Sequence, residues 1–191
     1  MNKRMQSARW ISIVGHPFTF VVLLVAIVSW KMHGGHHAFR TTGIVVATML
    51  VPLGLFIWNR YSLGHWETVD ASAPADRPAL YTAAFLLLLP VGAYFILRER
   101  ATEMVHGLAA VAILIGILAG LNRWIKLSVH LTIATFAAVI ITWLTPPFGF
   151  ALLVVLPFLG WSRLILSRHS PAEVAGGFFL GLTVAALTLW L

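Results

Sequence analysis

Residues 79–97 read ALYTAAFLLLLPVGAYFIL, nineteen positions without a charged side chain. At about 1.5 Å of rise per residue, such a run matches the roughly 30 Å hydrocarbon layer of a bilayer. Lipid offers no partner to backbone N–H and C=O groups, so the run is expected as an α-helix. Comparable runs at 10–30, 41–58, 104–121, 127–144, 148–161 and 172–191 bring the expected spans to seven. The expected fold is all-α, a polytopic transmembrane helix bundle forming one membrane domain over residues 1–191. Two spans are irregular: Gly15-His16-Pro17 interrupts the first, and the sixth is short and holds Pro157. A short sixth span would leave its end below the surface and suit a recessed pocket.

Composition points the same way. The chain is 60% hydrophobic and 10% charged, far more apolar than an ordinary soluble domain. Its formal charge of +7 is scattered between apolar runs and forms no soluble basic face, which argues against nucleic acid as a partner. Anionic lipid or a phosphate group fits better. Without cysteine there is no disulfide, thiolate nucleophile or cysteine metal site. Residues 1–9 are basic, but the run that follows reaches Trp30 without an A-x-A-like cleavage site, so a retained helix is expected.

Seven spans put alternate breaks on the same side. The N-terminus, 59–78, 122–126 and 162–171 share one face, while 31–40, 98–103, 145–147 and the C-terminus share the other. The first face holds nine Lys and Arg against four, which under the positive-inside rule turns it toward the cytoplasm of a bacterial cytoplasmic membrane. Three of the nine, Arg77, Lys126 and Arg163, double as candidate phosphate ligands. The polar chemistry gathers on that face. Ser162-Arg163 is followed after five residues by His169 and after three more by Glu173; Lys126, Ser128 and His130 open the fifth span; Arg77-Pro78 precedes the third.

This arrangement resembles the type 2 phosphatidic acid phosphatase superfamily of membrane lipid phosphatases, which includes relatives of vanadium haloperoxidases. The family's last motif, Ser-Arg, five residues, His, three residues, Asp, matches at Ser162, Arg163, His169 and Glu173, with Glu for Asp. Its second, Pro-Ser-Gly-His, matches at Ser128 and His130, with Leu127 and Val129 at the other two places. Its first, a lysine followed seven residues later by Arg-Pro, matches at Arg77-Pro78, with Asp70 at the lysine position and Lys126 as a substitute charge. The resemblance implies a metal-independent phosphatase without a cofactor, acting on a lipid phosphate or diphosphate. It assigns His169 as nucleophile, His130 as the acid that protonates the leaving alkoxide and then activates water, and Glu173 as the carboxylate orienting His169. Arg163, Arg77, Lys126 and Ser128 would bind phosphate, aided by backbone N–H groups opening the fifth helix.

Plainer readings stand beside these. Ser170-Pro171-Ala172-Glu173 is also a helix capping box, compatible with an orienting role for Glu173. Lone cations at span ends can simply meet lipid headgroups, and His130 can bridge helices. His33, His36 and His37 lie on the other face with no carboxylate in their loop, so a solvated turn is expected there and no metal site. His65, Glu67, Asp70 and Asp76 can shape a substrate entrance, pair with Arg77 or simply face solvent. His16 and His106 have no evident chemistry. Two rival functions remain open: a phosphoryl transferase between lipids, and a noncatalytic phospholipid-binding membrane protein.

Overall fold

The computed structural model describes residues 3–99 and 102–190, and among these every regular element is a helix. Six helical stretches are long and apolar enough to cross a membrane: Lys3–His33, Gly35–Ser62, Arg77–Arg98, Glu103–Leu121, Pro146–Ile165 and Pro171–Trp190. Val129–Leu144 is apolar but shorter. The sequence reading treats the chain as one domain; the helices cluster into two compact units, Met1–Phe39 with Lys126–Leu191, and Arg40–Ile125.

The first unit contains α1 (Lys3–Val14), α2 (Pro17–His33), α7 (Val129–Leu144), α8 (Pro146–Ile165) and α9 (Pro171–Trp190). Proline opens α2, α8 and α9, where its missing N–H breaks no helical bond and its fixed φ favours the first turn. α7 is the hub, packed against α2, α8 and α9. Its residues from His130 to Ala138 are all buried, as is the pair Ile140 and Ile141. Glycines bring α9 close: a Cβ on Gly177 would lie 2.7 Å from the Ser128 carbonyl oxygen, and one on Gly181 would lie 2.4 Å from that of Thr132. Small residues at a four-residue interval thus let two backbones touch.

The expected short sixth span is corrected by the structure. α8 runs for 20 residues, unbroken by Pro157, whereas α7 has only 16. At about 1.5 Å per residue α7 is roughly 24 Å long. Its shortness follows from Ser128 and Thr145, which cap its two ends with non-helical backbone. The interruption expected at Gly15-His16-Pro17 is present: Gly15 and His16 are non-helical and separate α1 from α2.

The second unit holds α4 (Val51–Ser62), α5 (Arg77–Tyr94) and α6 (Thr102–Leu121), and α3 (Gly35–Val45) leads into it. A π-helical turn at Val46–Leu50 joins α3 to α4, just before Pro52, which has no N–H to donate. The loop between α4 and α5 is packed. Trp66 is buried with its ring edge-on to Phe56, and Asn122 donates from Nδ2 to the Pro74 carbonyl at 2.9 Å. Across this fold many large apolar side chains face outward, among them Phe39, Leu97, Trp143 and Val154.

Candidate active site

Six of the seven expected site residues, Lys126, Ser128, His130, Arg163, His169 and Glu173, belong to the first unit. Their placement starts at the end of α8. Arg168 N–H bonds back to the Arg163 carbonyl and Ser167 N–H to that of Leu164, with Ser167 at φ +52°. These two bonds and the left-handed residue are a Schellman turn. The five-residue spacing between Arg163 and His169 therefore has a structural content: the turn reverses the chain, and Ser170 then starts α9.

At that start, Glu173 Oε2 accepts the Ser170 N–H at 3.0 Å while Ser170 Oγ accepts the Glu173 N–H at 3.3 Å. This is the capping box legible in the sequence. The same Oε2 lies 3.1 Å from His169 Nδ1, and the Lys126 carbonyl oxygen lies 3.1 Å from that nitrogen as well. Both neighbours are acceptors, so Nδ1 carries the proton and donates. The neutral ring then has its lone pair on Nε2. The His169 side chain is almost wholly buried, and the Glu173 side chain is 19% exposed.

The loop entering α7 is tied to the same place, because Ser128 N–H bonds to the Glu173 carbonyl at 3.1 Å. Ser128 is the N-cap of α7 by backbone conformation, yet its hydroxyl makes no capping bond. That hydroxyl is fully buried and has no hydrogen-bond partner among the described residues. A buried hydroxyl left so is unusual. The amides of the first turn of α7, which have no carbonyl within the helix to bond, open beside it. His130 follows in that turn, buried.

Arg163 is 2% exposed and donates from Nη1 to Ser12 Oγ at 2.7 Å. Ser162 Oγ bonds back to the Leu159 carbonyl at 2.7 Å, so its hydroxyl serves the α8 backbone. The unit carries seven Lys and Arg but a single acidic side chain, Glu173. Such an excess of positive charge makes the unit favourable for an anion.

Arg77 belongs to the second unit. There its Nε donates to the Ala71 carbonyl at 3.3 Å and its Nη1 to Tyr81 Oη at 3.4 Å, which holds the loop before α5. Residues that sequence reasoning missed are Ser12, the Lys126 carbonyl and His16, whose ring meets that of His130. Two of the few polar residues of a largely apolar first span, beside a Gly and a Pro, were the available signal.

No protein-family model matches the chain, and comparison with curated proteins and with solved structures gives no match either.

Proposed function

We propose that this chain is a multi-pass membrane protein that hydrolyses a phosphate ester or diphosphate of a lipid through a phosphohistidine at His169. The observation that carries the reading is the His169 ring, whose Nδ1–H is directed at Glu173 Oε2 and the Lys126 carbonyl. This supports Nε2 as the attacking nitrogen. The outward apolar side chains on long helices support a lipid surround, since soluble monomers rarely expose so much apolar area.

In the proposed reaction the Nε2 lone pair attacks phosphorus and the bond to the leaving alkoxide oxygen breaks, its electron pair departing with that oxygen. His130 supplies the proton that the alkoxide takes up. Water then attacks phosphorus, its proton passes to His130, and the P–N bond returns its pair to Nε2, releasing inorganic phosphate. Glu173 stabilises the positive charge that the ring acquires on attack. Arg163, Lys126, the Ser128 hydroxyl and the α7 amides balance the charge on the nonbridging oxygens, the main task in phosphoryl transfer. A lipid headgroup could approach α7 where its roughly 24 Å falls short of the roughly 30 Å layer.

The test is release of inorganic phosphate by the purified protein, in chelator, from phosphatidic acid, phosphatidylglycerol phosphate and polyprenyl diphosphate. Release that His169→Ala abolishes supports the reading. Lipid binding without release from any of the three would instead indicate a noncatalytic phospholipid-binding protein.

A further inference from the structure

The junction between α1 and α2 carries two polar side chains that the reaction above does not use. α1 ends at Val14 and Pro17 opens α2; Ser12 lies in the last turn of α1, and His16 is the residue just before Pro17. Ser12 is buried, and its hydroxyl accepts from Arg163 Nη1 at 2.7 Å. His16 caps α2, its Nδ1 accepting the Phe18 N–H at 3.2 Å. Its ring also stands edge-on to that of His130, with centroids 5.4 Å apart and planes at 85°. That is the preferred geometry of an aromatic pair.

Capping alone does not account for His16. Ser, Asp or Asn fills an N-cap better and with fewer atoms. What the imidazole adds is a ring contact with His130 that a Ser, Asp or Asn cap would lack. Ser12 adds a hydroxyl that selects one orientation of a long guanidinium side chain. The two groups act on different members of the site from a single helix junction.

We infer that Ser12 and His16 are positioning residues of the phosphoryl-transfer site, Ser12 for Arg163 and His16 for His130; the inference rests on the hydrolase reading. Arg163 faces phosphate oxygens in the ground state and in the transition state alike, so loosening it weakens substrate binding. His130 acts on the leaving oxygen only as the bond breaks, so loosening it slows the chemical step.

The experiment uses the full chain in lipid nanodiscs, with whichever of the three lipid phosphates named above it hydrolyses fastest. His16→Asn keeps a capping acceptor and removes the ring; it should lower kcat about tenfold, with KM little changed. Ser12→Ala should raise KM about fivefold with kcat little changed, and Ser12→Thr should restore it. His16→Ser is a second variant that keeps the cap, should the first not fold. In histidine-¹⁵N-labelled protein the His130 ring signals should move in His16→Asn, a readout that does not depend on turnover. Folded variants with wild-type kcat and KM, or unmoved His130 signals, overturn the positioning role while the hydrolase reading stands. A wild-type protein that releases phosphate from none of the lipids overturns that reading and this role with it.

Discussion

Glu173 Oε2 accepts the His169 Nδ1–H at 3.1 Å and the Ser170 N–H at 3.0 Å, so one carboxylate oxygen orients the ring and caps the helix. The two roles separate by mutation. Glu173→Ala removes both, whereas Ser170→Ala removes the hydroxyl half of the capping box and leaves the backbone N–H and the His169 contact. Each should cost about 1 kcal/mol of stability. Only Glu173→Ala should also lower phosphate release, on the order of 10²-fold or more. Thermal unfolding and turnover of both variants check this, and equal activity losses would contradict it.

Ser167 holds a left-handed conformation, φ +52°, in the turn that carries the chain from Arg163 to His169. Glycine adopts that region without the side-chain clash of an L-residue. Ser167→Gly should therefore raise stability by about 1 kcal/mol, and Ser167→Val should lower it by at least as much. Chemical denaturation in detergent reads both, and activity of the glycine variant should be that of wild type.

The contact of α9 with α7 leaves no room for a methyl group at Gly181, where a Cβ would sit 2.4 Å from the Thr132 carbonyl oxygen. Gly181→Ala should destabilise the protein by about 1–3 kcal/mol through forced separation of the two backbones. Because Ser128 N–H bonds to the Glu173 carbonyl across the same interface, turnover should fall as well. A variant as stable as wild type would show that the two helices pack less closely than described.

In the second unit, burial pushes the Asp76 carboxyl above its ordinary pKa, with nearby Glu67 adding to the effect and Arg60 opposing it. A group whose pKa is raised by folding binds its proton more tightly in the folded state. Its contribution to stability is greatest in acid and is lost as pH rises through the folded-state value. Asp76→Asn removes that loss. Its stability relative to wild type should rise between about pH 3 and about pH 7, as unfolding measured across that range will reveal. A difference independent of pH would contradict the assignment.

How much of this was legible in the sequence depends on range. Apolar runs marked the helices because a helix satisfies its own backbone whatever surrounds it, and Ser170-Pro171-Ala172-Glu173 announced a cap because capping is local. The length of the sixth span was misjudged because Ser162 and Arg163 read as the start of a break, whereas both are buried and α8 continues through them to Ile165. The partnership of Ser12 with Arg163 spans 151 positions, and no periodicity reports it. His16 looked idle for the same reason: its meaning lies in a ring on another helix. Arg77 was read as a phosphate ligand from its place before Pro78, while its contacts with Ala71 and Tyr81 depend on how the loop folds back.

The most direct test of the central claim is where phosphate sits on the protein. Full-length protein, mixed with a lipid phosphate that it hydrolyses and quenched in alkali, should yield phosphohistidine at His169, since that linkage survives base. With Nδ1 occupied as donor to Glu173 and the Lys126 carbonyl, the phosphoryl group should be found on Nε2. Phosphate on Nδ1, on another residue, or undiminished in His169→Ala would contradict the account.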